Sequence, residues 1–232
     1  MIGLPFEAEK AIVNTLVVDD PESRLLYLQS INNTSGKGTQ NSGHKHKWDY
    51  KYNTIIQIAD RHGLKHFKLS RGKLWEAVVL LGKEDDLYVF FSERNMNRII
   101  RQGKKTHYLI LLNLFNKELD NMEPLQTSLP ILDEGVEKTE EQMILARKMI
   151  DIIENDPKKV VVFAFNTKTI PTVNAYAFNT NQQLVWEKDL TDLIEPNYRF
   201  VLQDDNIQPA TRESNVTREI KREKQLIVRL KS

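Results

Sequence analysis

The chain has 232 residues, of which 40% are hydrophobic and 28% charged, a make-up that excludes wholesale disorder. It contains no cysteine, so disulfides, thiolate zinc sites, iron–sulfur clusters and cysteine nucleophiles are all excluded. The formal net charge of +1 hides two opposed stretches.

From Ser35 to Lys73 nine bases face two acids, a surplus of seven positive charges, and Arg94 to Lys105 adds five more bases with no acid. Between Glu118 and Asp156 eleven acids face three bases, a surplus of eight negative charges. A separation of this kind sets up a directional field that steers an anionic partner to one side of the molecule.

In chain order, Glu7–Val18 carries a helical apolar stripe, and Asp20-Pro21-Glu22 reads as the cap of a second helix. Asn32–Gly43 has no apolar residue and three glycines, the pattern of a loop. Helical spacing resumes over Trp48–Arg61 and stops at His62-Gly63. Leu64–Leu69, Leu74–Leu81 and Leu87–Ser92 read as strands, the last two a hairpin across Gly82–Asp86. Helices are expected over Asn95–Gln102 and His107–Leu119, and a connector with Pro124 and Pro130 over Asn121–Asp133.

Val136–Asn155 is the clearest helix, with Met143, Ile144, Ala146, Met149, Ile150 and Ile153 on one side. Its acids gather at the start, where they suit the helix dipole. Lys159–Phe165, Thr172–Phe178 and Gln183–Glu187 form a three-stranded meander, followed by a short helix over Asp189–Ile194 and a polar loop over Asp204–Asn215. The tetrad Ala-Phe-Asn-Thr stands at Ala164–Thr167 and again at Ala177–Thr180, which is read as one turn chemistry used at two strand ends. Val216–Ser232 has the apolar spacing of an amphipathic helix and a closing strand.

The expected fold class is α+β: amino-terminal helices, a central antiparallel hairpin sheet, then a second helix and a meander. Two parts are drawn, 1–120 with the helices, hairpin and basic face, and 121–232 with the acidic helix, meander and charged end, or a single continuous domain. Met1–Glu7 lacks a basic start followed by an apolar run, so no secretory signal is expected, and no segment approaches the roughly 20 apolar residues of a membrane span. A cytoplasmic protein that does not engage the membrane is the expectation.

The segment His44-Lys45-His46-Lys47-Trp48-Asp49-Tyr50-Lys51-Tyr52 interleaves bases with aromatics. Bases neutralise phosphates while planar rings stack on unpaired nucleobases, so Lys45, Lys47, Trp48, Tyr50 and Lys51 are candidate binding residues. Arg71 and Lys73 join them in sequence, and Arg94, Arg98, Arg101 and Lys105 recur at helical spacing as an extension of the same face. The competing explanation is that the aromatics anchor the start of a helix and the bases are its solvated side. No metal site is assigned, because the pairs His44/His46 and His62/His66 lack a ligand spacing. No cofactor is expected either: Gly36-Lys37-Gly38 lacks the spacing of a phosphate loop, and no serine, histidine and acid set stands out.

Helix, three strands, helix is the order of restriction-type nuclease cores, which makes a divalent-metal nuclease using Asp49, Asp60, Glu76 and Glu93 an alternative. Glu93 is followed by Arg94-Asn95, however, and the acid, spacer, lysine triplet that holds metal and water is missing. A further alternative is a protein interaction module, including self-association of the acidic helix with the basic face. The leading expectation is a binding or regulatory protein whose partner is nucleic acid or an acidic protein surface.

Arg71-Gly72-Lys73-Leu74-Trp75-Glu76, Leu87-Tyr88-Val89-Phe90 and His107-Tyr108-Leu109 resemble an uncharacterised family of bacterial and phage-associated proteins over the middle third of the chain. The resemblance implies a source in a bacterium or mobile element and brings no activity or site residues.

Overall fold

A computed structural model describes residues 2–33, 35, 37–70, 75–103, 105–125, 140–168 and 170–195. The expected elements over Asp204–Asn215 and Val216–Ser232, and the candidate residues Arg71 and Lys73, lie outside the described residues.

Six strands form one mixed sheet in the order of the chain: β1 (Lys65–Ser70), β2 (Glu76–Leu81), β3 (Asp86–Ser92), β4 (Lys159–Asn166), β5 (Thr172–Phe178) and β6 (Leu184–Asp189). All neighbours are antiparallel except β3 and β4, which run parallel with Tyr88 opposite Val161 and Phe90 opposite Phe163. The hairpin strands and the meander are therefore halves of one sheet joined by a parallel seam. A parallel pair needs a crossover connection, and the helical segments between Ser92 and Lys159 supply it. Leu87–Phe91 and Val160–Phe165 are buried without interruption, the continuous apolar run of strands covered on both faces.

The helices are α1 (Phe6–Val17), α2 (Pro21–Ser30), α3 (Gly43–Arg61), α4 (Glu93–Gln102), α5 (Tyr108–Asn113) and α6 (Glu140–Met149). Helix α3 covers one face through Trp48 on Phe165, with ring centroids 5.6 Å apart. Helix α5 covers the other through Tyr108 stacked on Phe91 at 5.2 Å. Helix α1 has no basic residue in its last turn, and its terminal carbonyls are capped from α3 instead: Lys51 Nζ donates to the carbonyls of Thr15, Leu16 and Val18 at 2.8–2.9 Å.

Some boundaries differ from the sequence expectation for local reasons. The helix expected over His107–Leu119 stops at Asn113 and resumes as a 3-10 turn over Lys117–Asn121. The break lets Asn116 turn inward, where Oδ1 accepts from Val160 N at 2.6 Å and Nδ2 donates to the carbonyls of Val160 and Phe178. The helix expected over Val136–Asn155 ends at Met149, and residues 136–139 lie outside the described residues; Ala146 and, just past the helix, Ile150 are buried, Met143, Met149 and Ile153 pack partly on the core, and Ile144 is exposed. The short helix expected over Asp189–Ile194 is a 3-10 turn over Thr191–Leu193.

The repeated tetrad behaves as expected. Asn166 Oδ1 accepts from Lys168 N at 3.1 Å, and Asn179 Oδ1 from Asn181 N at 3.0 Å, the same side-chain turn closing β4 and β5.

Candidate functional site

At the carboxyl ends of the parallel pair β3 and β4 the chain parts, β3 running into helix α4 and β4 turning back into β5. Two depressions meet at this end. The smaller, about 340 Å³, is floored by Trp48, Tyr52, Trp75 and Tyr108 and edged by His44, Ser92, Arg94, Asn95 and Arg98. The larger, about 760 Å³, lies between the end of α1, α2 and the start of α3, and shares His44, Trp48 and Ser92 with the first.

Each wall has a structural origin. β3 runs directly into α4 at Ser92, so Arg94 and Arg98, one turn apart on the new helix, face the smaller cleft. Arg101 is exposed on the next turn, and Gly103 ends α4 with φ +53°, the left-handed conformation that glycine adopts without strain. Arg98 donates to Asn95 Oδ1 at 2.7 Å, which holds its guanidinium over the first turn. Among the described residues none of Arg94, Arg98 and Arg101 pairs with a carboxylate.

Trp48 is only 8% exposed and is locked by Tyr52 at 5.1 Å and by Phe165. Trp75 stands beside it, half-buried, with its ring 6.4 Å away and nearly perpendicular. The exposed His44 ring lies 6.1 Å from Trp75 at an interplanar angle of 20°. The cleft thus combines flat apolar surface with two cationic side chains.

Helix α3 begins at Gly43, five residues before the expected start, so the basic segment forms its first turns. That first turn has no acid, which runs against the helix dipole. The arrangement costs stability and leaves the helix start attractive to anions.

The sequence-derived candidates among the described residues divide four ways. Arg94 and Arg98 line the smaller cleft, and Trp48 forms the wall between the two. Lys47 and Tyr50 line the larger one, where Lys47 pairs with Asp19 at 3.2 Å. Burial, and next the charge of Asp20, push the Tyr50 phenol above its ordinary range. Lys45, Arg101 and Lys105 are exposed and line neither cleft. Lys51 also borders the larger cleft, but its side chain is buried, its three protons are spent on the end of α1, and desolvation brings its amine down to about 8. A polyanion meets no free charge at that position. Sequence reasoning passed over Trp75 and Tyr108, whose meaning depends on strands and helices that only the fold brings together.

The four acids weighed for a nuclease stand apart in their bonding. Asp60 meets His66 at 3.0 Å, Glu76 meets Lys68 at 3.7 Å, Glu93 accepts from Asn166, and Asp49 is exposed. Among the described residues no three histidine, aspartate or glutamate side chains are placed to hold a metal ion. A serine and histidine do meet in the larger cleft, with Ser23 Oγ 3.0 Å from His46 Nε2. The same nitrogen also lies 3.1 Å from the Ser23 carbonyl, which can only accept, so Nε2 carries the proton and is not a base for the hydroxyl.

Among the described residues no helix is long and apolar enough to cross a membrane. No curated protein and no solved structure matches the chain. A family model matches residues 25–231, nearly the whole chain, and the protein therefore belongs to the family of unknown function DUF5986.

Proposed function

We propose that the chain is a nucleic-acid-binding protein, of regulatory rather than catalytic type, whose contact surface is the exposed face of α4 together with the cleft at the carboxyl ends of β3 and β4. The observation that carries this reading is the union of uncompensated arginines with flat aromatic surface at one sheet end. Arg94, Arg98 and Arg101 repeat at roughly 6 Å and then 4–5 Å along the helix axis, a row able to follow successive phosphates. Guanidinium groups suit this task because they grip phosphate oxygens in pairs. An acidic protein surface would also meet the arginines, but it would leave the aromatic floor without a purpose.

The sequence resemblance to bacterial and phage-associated proteins supports a source in a bacterium or mobile element, and the lack of cysteine suits a reducing cytoplasm. The test is fluorescence anisotropy with labelled DNA and RNA, comparing the native chain with the triple variant Arg94→Glu, Arg98→Glu, Arg101→Glu. The proposal expects at least tenfold weaker binding at an unchanged melting temperature. Equal affinity of the two proteins would overturn it.

A further inference from the structure

We infer that the smaller cleft takes one unpaired nucleobase, stacked on Trp75 in the slot closed by His44, so that the protein prefers single strands to duplexes. This inference rests on the nucleic-acid reading above and adds the class of substrate.

Trp48 is committed to the core by Tyr52 and Phe165, and its ring meets Trp75 nearly perpendicular at 6.4 Å. That contact restrains the half-buried Trp75 ring before any ligand arrives, which lowers the ordering cost of binding. Its companion is the exposed His44, near-parallel at 6.1 Å and located in the first turn of α3. A base between two rings requires about 6.8 Å, twice the 3.4 Å stacking rise of a nucleic-acid strand. A small rotation of the His44 side chain supplies the difference, since solvent surrounds it.

The arginines set the direction of the strand. Arg94 and Arg98 edge the same cleft, so a base seated on Trp75 presents its own phosphate to them, and Arg101 meets the next one along α4. A paired base has both faces covered by its neighbours and has none to offer to Trp75. A duplex would use the arginine row alone.

The decisive experiment compares a labelled mixed-sequence 12-nucleotide single strand with the corresponding duplex, titrated with the native chain, Trp75→Ala and Trp75→Phe, and with AMP as competitor. The expected result is a preference of the native chain for the single strand on the order of tenfold, the value of stacking one base. Trp75→Ala abolishes the preference while keeping duplex binding, and Trp75→Phe restores most of it. Unlabelled strand quenches tryptophan emission in the native chain and less so in Trp75→Ala. Equal affinity of the native chain for strand and duplex would overturn the inference and leave the proposed function standing; binding of neither would overturn both. Competition by AMP at concentrations near the strand's own dissociation constant would mark a free-nucleotide pocket and overturn the inference.

Discussion

The ammonium of Lys51 lies 2.8 Å from the carbonyl oxygen of Leu16, and with its bonds to Thr15 and Val18 it closes the end of α1 from a different helix. In sequence, Lys51 is one more base in a basic segment. In the fold it ties α3 to the end of α1, with its nitrogen also 5.2 Å from the centre of the Phe165 ring.

Lys51→Met removes a charge-assisted cap and leaves carbonyls without a donor, so it should cost about 1–3 kcal/mol in urea unfolding. The folded variant should retain nucleic-acid affinity within a factor of about two. A large loss of affinity at native stability would return Lys51 to the binding surface.

The same amine gives a pH signature. Desolvation lowers its folded pKa to about 8 from 10.5, so above pH 8 the unfolded chain holds more of this proton than the folded one. Stability from this group therefore rises with pH, by roughly 2 kcal/mol between pH 8 and 10. The stability gap between the native chain and Lys51→Met should widen over that window in favour of the native chain. A narrowing gap would contradict the assigned shift.

Asn116 is fully buried and serves Val160 N, Val160 O and Phe178 O at once. Replacing it with Leu strips partners from three backbone groups inside the sheet, with an expected loss of about 3 kcal/mol or more. The midpoint of urea denaturation measures it, and a change under 1 kcal/mol would mean that those groups find other partners.

The fold class was legible because it rests on local periodicity: α1, α3 and all six strands follow apolar spacing that a single sequence displays. The joining of hairpin strands and meander was not legible, because the β3/β4 seam depends on pairing across more than sixty residues, from Ser92 to Lys159. The site was legible only in part. Arg94 and Arg98 announce themselves by spacing and charge, whereas Lys51 looks identical to Lys47 until burial separates them. Trp75 carries no signal in sequence, since its value comes from standing between Trp48 and His44.

Asp86 is 1% exposed and pairs with Lys159 at 3.1 Å, while burial raises its carboxyl above the ordinary range. Lys159→Met would leave a buried carboxylate without its counter-charge, at a cost of about 3–5 kcal/mol at neutral pH. With the folded pKa raised further, the folded state takes up the proton first, so the variant should recover stability as pH falls from 7 towards 5. Calorimetry at the two pH values checks the sign, and loss of stability on acidification would contradict it.

Lys45 sits in the first turn of α3, where a base opposes the helix dipole. Lys45→Glu should raise stability by a few tenths of a kcal/mol and weaken nucleic-acid binding, an opposite movement of the two quantities. Thermal melting and anisotropy on the same samples read both, and unchanged binding would remove this turn from the contact surface.

The most direct test of the central claim is the salt dependence of binding to a single strand. Each phosphate neutralised contributes a slope of about −0.7 in a plot of log affinity against log salt, so three arginines contribute roughly −2. The native chain should show that steeper slope relative to the variant Arg94→Glu, Arg98→Glu, Arg101→Glu; parallel lines for the two proteins would contradict the assignment of α4 as the phosphate-contacting face.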